Sequence, residues 1–135
     1  DSSEDMSWIP SAWGMKMSLS REVPAKIKSS IMPFLEGLAQ QIPGCSLEQI
    51  LKEAYFAIHP GGPKIISSLQ ETLELQDDQI ANSKKILLQR GNMSSATLPH
   101  IWKDLLENNY QSGKLVVSLA FGPGLTIFGS IFRMI

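Results

Sequence analysis

The chain has 135 residues, 43% of them hydrophobic, enough for one domain with a substantial core and too few for two comfortable ones. Twelve basic residues against thirteen acidic ones leave a formal net charge of -1, and no window clusters Lys and Arg with aromatics as nucleic-acid grooves do, which excludes nucleic acid as a partner. One cysteine and two histidines, none at CxxC or HExxH spacing, exclude a disulfide framework and a zinc site and point to a metal-free, cytoplasmic protein.

The opening DSSEDMSW is acidic, lacks a basic n-region and an apolar h-region, and so is expected to be no signal peptide; without an initiator methionine it has the look of a chain interior. Residues 13–20, WGMKMSLS, alternate Trp13, Met15, Met17 and Leu19 with small or charged residues, the period of a half-buried strand. In REVPAKIKSSIMPFLEGLAQQ, Ile27, Ile31, Phe34, Leu35 and Leu38 recur at helical spacing. Pro24 suits a first helical turn, Pro33 predicts a bend, and the helix should cover a sheet. IPGC ends it, and Ser46 followed by Gln49 is a capping-box pattern that opens a short helix through Leu51.

AYFAIH reads as a buried strand from its aromatic and branched content. Pro63 then opens a helix whose stripe of Ile65, Ile66, Leu69 and Leu73 runs to about Glu74. DDQIANSKKILLQRGN predicts a short helix or two ending at Gly91, and its charges read as exposed surface. SSATLPHIWKDLLENNY predicts another amphipathic helix with Leu98, Ile101, Trp102, Leu105 and Leu106 on one face, Pro99 near its first turn and His100 in solvent. From Leu115 to Phe132 there is no charge, a length that raises a membrane helix. Gly122, Pro123 and Gly124 break that run, and its Val, Ile, Phe and Thr predict two buried antiparallel strands joined by the turn instead. The element order gives an α/β protein, a mixed sheet with helices packed on it and no membrane span.

His59 and Asn92 are the candidates for chemistry. By itself a histidine at a strand end is a turn or structural residue. The two glycines after His59 bare the backbone, however, and the helix opening at Pro63 aims free N–H groups at the same place. Asn92, after Gly91, reads first as a cap or turn residue. Polar residues at two such junctions are also how an open α/β sheet builds a site at its carboxyl edge.

AIHPGGPKII, GNMSSATL and AFGPGLTIF, in this order and preceded by GMKMSLSREVP, resemble the C-terminal domain of type III polyketide synthases, the chalcone and stilbene synthase family. The resemblance covers nearly all of residues 1–135 and implies a thiolase-like fold, of which this chain would be most of the C-terminal half, entered after that half's first strand. It implies an acyltransferase that condenses malonyl-CoA onto an acyl-CoA starter by decarboxylative Claisen chemistry. Coenzyme A thioesters would be substrates, with no permanently bound cofactor. His59 matches the family's catalytic histidine and Asn92 its catalytic asparagine. Two N–H donors without permanent negative charge suit a developing enolate, and a protonated imidazole can hold a cysteine as thiolate.

The same resemblance places Ser94, Phe121, Gly122 and Pro123 on the substrate cavity, Met17 at a gate that is phenylalanine in plant members, Trp8 in a stretch lining the cavity, and Lys64 where the backbone helps hold coenzyme A. Ala120 departs from the usual glycine of the GFGPG loop. Met17, a flexible thioether, points to a starter other than a phenylpropanoid, such as a fatty acyl chain. The remaining methionines, Met6, Met15, Met32, Met93 and Met134, read as core or edge fillers. The nucleophilic cysteine belongs to the family's N-terminal half. Cys45, in a helix connection without a base nearby, is expected to be an ordinary thiol. The isolated chain is therefore expected to be inactive and to associate through an uncovered sheet face, while the full-length enzyme would be a homodimer. The alternatives are a 3-ketoacyl carrier-protein synthase III-like condensing enzyme and a noncatalytic thiolase-fold dimerisation module.

Overall fold

The computed structural model describes residues 5–109 and 111–135, Leu19 by its backbone alone; the acidic start before Asp5 and Tyr110 lie outside the described residues. In chain order the elements are β1 (Met6–Ser11), β2 (Gly14–Leu19), α1 (Val23–Ala39), α2 (Leu47–Glu53), β3 (Tyr55–Ile58), α3 (Pro63–Leu73) and α4 (Asp77–Arg90). A 3-10 turn (Ser94–Ala96), α5 (Thr97–Asn108), β4 (Leu115–Gly122) and β5 (Thr126–Arg133) complete the chain. β3, β4 and β5 form a mixed sheet in that order, β3 parallel to β4 with Ile58 opposite Leu119, and β4 antiparallel to β5 with Gly122 opposite Thr126.

Strand alternation sends the core to both faces of this sheet. Phe56, Ile58, Val117 and Leu119 join α1 and α3 on one side, while Tyr55, Ala57 and Val116 join Ile86, Ile101, Leu105 and Met134 on the other. α1 buries Val23, Ile27, Ile31, Leu35 and Ala39, one per turn, and continues through Pro33, which lies on its exposed side. The helix reaches β5 through Phe34 and Leu38, whose side chains lie flat over Gly129; a Cβ there would sit 2.6 Å from Phe34 Cε1. α3 buries the four residues of its predicted stripe. Each such side chain taken fully from water contributes about 1.5–3 kcal/mol.

The free edge of β3 is closed by a helix. The N–H of His59 points to β4, donating to Leu119 O at 2.8 Å, so Phe56 O and Ile58 N–H face the other way. There Ser83 of α4 donates to Phe56 O at 3.0 Å and accepts from Ile58 N–H at 2.9 Å. One turn earlier, Gln79 Nε2 donates to Ala54 O and Leu51 O. α4 thus runs alongside β3 in the same direction and occupies the position of a further strand.

Three expectations change. The residues before Trp13 form a strand, β1, which pairs with β2 in a separate two-stranded ribbon outside the main sheet. Trp13 is not a strand residue but sits in the ribbon's turn, 99% exposed, and Met15 is 59% exposed, so the alternation did not report burial within this chain. β5 is an edge strand covered on one face rather than a buried one: Ile127 and Ile131 pack on the core that α1 joins, while Phe128 and Phe132 alternate onto the opposite face and are exposed. The apolar face of α5 is narrower than its sequence stripe, with Ile101 and Leu105 buried and Leu106 exposed. No helix among the described residues is long and apolar enough to cross a membrane.

Candidate active site

The site lies where β3 and β4 end. Parallel pairing brings their carboxyl ends to one edge, with His59 directly after β3 and Phe121 two residues beyond the Leu119 that binds it. α4 climbs beside β3 to that same edge and stops at Gly91, whose φ of 71° turns the chain sharply into Asn92. The turn after β4 adds Pro123. A cavity of about 290 Å³ results, lined by His59, Asn92, Ser94, Phe121, Pro123, Met17 and Trp8, which the sequence had singled out. Met6, Val23, Ile27, Gly61 and Ile65 complete it.

His59 sits half-buried, and burial alone pushes its imidazole below the ordinary value of 6.5. Among the described residues its ring has no hydrogen-bond or ion-pair partner, so a neutral imidazole N–H is free to serve a ligand. Its backbone is fixed on both sides, since its N–H donates to Leu119 O and its carbonyl accepts from Gly61 N–H at 3.0 Å.

Asn92 is oriented by its own turn. The Oδ1 atom accepts from Ser94 N–H at 2.8 Å, which engages the amide oxygen locally and leaves the NH₂ group as the available end. The loop is held further by Met93 N–H donating to Thr97 Oγ1 at 2.9 Å, with Thr97 fully buried. Ser94 has a φ of 55°, a left-handed conformation that costs a non-glycine residue about 1–3 kcal/mol where it persists. Such stored strain accumulates at functional sites. Asn92 thus sits just ahead of a 3-10 turn that Ser94 opens, and neither is at the start of α5 itself.

Two of the named residues lie beside the cavity. Gly122 faces Phe128, where a Cβ would come within 3.2 Å of Cε2, and is not part of the lining. Lys64 is exposed on a second depression of about 630 Å³ with Ser20, Arg21 and Gly62, which shares Val23, Gly61 and Ile65 with the first. Cys45 packs half-buried against the core and does not line either space. His100 Nδ1 meets Ala96 O, at the N-cap of its own helix, at 2.9 Å. Among the described residues no group of three His, Cys, Asp or Glu side chains is placed to hold a metal ion.

Sequence reasoning missed Met6, Val23, Ile27 and Ile65 as wall residues. The α1 and α3 residues carry no signal beyond the apolar stripes they share with ordinary core positions. Met6 would have been found by recognising β1, since Trp8 and Met17 are directly opposite across the ribbon and Met6 lies on the same face.

Residues 8–135 match the family model described as chalcone and stilbene synthases, C-terminal domain. Among curated proteins, the chain is 35% identical over 124 residues to type III polyketide synthase C of Arabidopsis thaliana, covering 89% of this chain and 32% of that protein. It is 32% identical over 145 residues to type III polyketide synthase pspB of Penicillium soppii, covering 98% and 36%. Among solved structures it is similar to a fungal type III polyketide synthase, ORAS, with TM-score 0.84 and 27% identity over all of this chain and 38% of that one. The C-terminal type III polyketide synthase domain of Steely1, a type I/III hybrid from Dictyostelium, gives TM-score 0.87 and 26% identity, again over all of this chain and 38% of that one. The chain spans about a third of the length of the relatives it matches.

Proposed function

Because the chain belongs to the chalcone and stilbene synthase family and has its thiolase-like fold, we propose that residues 1–135 are the C-terminal domain of a type III polyketide synthase. The whole protein condenses malonyl-CoA onto an acyl-CoA starter, with the nucleophilic cysteine supplied from outside these residues. One observation carries the reading. His59, Asn92, Ser94, Phe121, Pro123 and Met17, from four separate stretches of sequence, meet on one cavity.

Decarboxylation of a malonyl thioester breaks the bond to the carboxylate, releases CO₂ and leaves its electron pair as an enolate. That enolate attacks the acyl thioester carbon, and as the new C–C bond forms the C–S bond breaks and the cysteine leaves as thiolate. A neutral His59 N–H and the Asn92 NH₂ group, on residues that line one cavity, serve as donors for the enolate oxygen, and the Ser94 N–H contact engages the amide oxygen and leaves the NH₂ for that role. A cysteine thiolate beside the imidazole would raise the pKa that burial lowers here, so cysteine activation and enolate stabilisation draw on different protonation states of one ring. The cavity's Met6, Trp8, Met17, Val23, Ile27 and Ile65 favour an aliphatic starter chain. Gly122 ends β4 against Phe128, just before the turn that presents Pro123. Coenzyme A enters over the depression that holds Lys64 and the bare backbone of Gly61 and Gly62. The full-length protein is assigned as a cytoplasmic homodimer without a permanent cofactor.

The test is to incubate the full-length protein with malonyl-CoA and medium-chain or aromatic acyl-CoA starters and look for pyrone or resorcinol products. Removing one oxyanion donor costs about 10²–10³ in rate, so His59→Gln and Asn92→Asp should each abolish most product formation. Residues 1–135 alone should give none. Product from this chain alone, or full activity in Asn92→Asp, overturns the reading.

A further inference from the structure

The β1–β2 ribbon supplies Met6, Trp8 and Met17 to the cavity wall, yet it pairs with no strand of the main sheet. Its outer half is exposed, so the hydrophobic effect fixes its position only weakly. What fastens it to the body is concentrated at its foot. Asp5 is buried, and its carboxylate meets the Lys26 ammonium at 2.5 Å. The adjacent Met6 O accepts from Gly124 N–H at 2.8 Å, which ties the ribbon to the turn presenting Pro123. Asp5 O also accepts from Ser20 N–H at 2.8 Å, closing the ribbon on itself.

The place of the ion pair matters more than its existence. Lys26 precedes Ile27 on α1, and Val23 lies one turn before it; both are cavity walls. Asp5 precedes Met6, the first ribbon residue on the cavity. The pair therefore joins two elements, the ribbon and α1, that both supply apolar side chains to the cavity wall. Glu22, at 3.9 Å from Lys26 and largely exposed, is the only other carboxylate near that ammonium among the described residues and is too solvated to replace Asp5. We propose that Asp5 and Lys26 are a positioning pair that sets the gap between the ribbon and α1 and thereby selects the acyl chain of the starter, without touching the reacting atoms.

This rests on the proposed condensing activity, and the experiment separates the two. In the full-length protein, KM for a medium-chain acyl-CoA and kcat for malonyl-CoA decarboxylation are measured for wild type, Asp5→Asn, Lys26→Met and Lys26→Arg. A displacement of about 1 Å in a positioning group costs up to ~10²-fold, so starter KM should rise at least about tenfold in Asp5→Asn and Lys26→Met. Decarboxylation kcat should hold within about twofold, and Lys26→Arg should restore the wild-type KM. Unchanged starter KM in both variants overturns the positioning role, as does a rise in KM accompanied by a fall in decarboxylation kcat and in Tm, which marks a merely structural pair. If wild type shows no decarboxylation, the condensing reading fails instead; the pair is then judged by binding of the same acyl-CoA, followed by Trp8 fluorescence against a Trp8→Phe control. Equal affinity in wild type and Asp5→Asn overturns it there.

Discussion

Ser83→Ala removes one oxygen atom from a fully buried side chain and leaves two backbone groups of β3 without partners. Ser83 Oγ both donates to Phe56 O and accepts from Ile58 N–H, at 3.0 and 2.9 Å, and Ala offers neither function. A net hydrogen bond is worth about 0.5–1.5 kcal/mol, and a buried group left unsatisfied costs about 1–3 kcal/mol, so losing both ends predicts a total of about 2–4 kcal/mol. No water can compensate, since Phe56 and Ile58 are fully buried and the deleted atom leaves less room than a water needs. Urea denaturation of Ser83→Ala against wild type gives the total, and amide hydrogen exchange gives the location. Ile58 N–H should lose protection while the His59 N–H, bound to Leu119 O on the other edge, keeps most of its own. A loss below about 0.5 kcal/mol, with Ile58 as protected as before, would refute the view that α4 closes this edge, because surface-like substitutions stay within that range.

Gly129→Ala should destabilise by about 1–3 kcal/mol, since its Cβ would fall 2.6 Å from Phe34 Cε1 and 2.9 Å from Cζ, and the backbone there needs no left-handed φ; an unchanged Tm would contradict the packing of α1 on β5. Burial lowers the folded-state pKa of His59 below 6.5, so the unfolded chain binds that proton first. Its contribution to stability is therefore full above the unfolded value and is lost as pH falls from there to the folded one. His59→Gln should flatten that segment of the pH–stability curve, and an identical curve would remove the desolvation. Cys45, half-buried against the core, should react with iodoacetamide no faster than a free cysteine, and strong acceleration would reopen it as a nucleophile.

The helices were legible because each has a single buried face. The α3 stripe of Ile65, Ile66, Leu69 and Leu73 is buried as spaced, and Ser46 accepts from Gln49 N–H as a cap at 3.1 Å. β3 and β4 were legible because both their faces are covered, which demands continuous apolar runs. The ribbon was not. Its alternation is real, with Met6, Trp8, Pro10, Met15 and Met17 on one face, but periodicity gives a face and not what lies against it. β5 misled for a related reason, since its apolar content matches that of a covered strand while only its Ile127 and Ile131 face is packed. At the site, motif resemblance named His59 and Asn92, but the amide orientation imposed by Ser94 N–H and the Asp5–Lys26 pair depend on contacts across turns that spacing cannot encode.

The pairing of α4 with β3 works through two incommensurate rulers. Four helical residues advance about 6.0 Å, and two strand residues about 6.6 Å, so Gln79 and Ser83 meet successive outward carbonyls, Ala54 O and Phe56 O, with little mismatch. Insertion or deletion of one residue between them would rotate the second contact about 100° off the strand. The segment should thus tolerate substitution on its outer face far better than any change in length. A length change after Ser83 would spare both contacts and instead swing Gly91, and with it the asparagine, away from the histidine's end of the sheet.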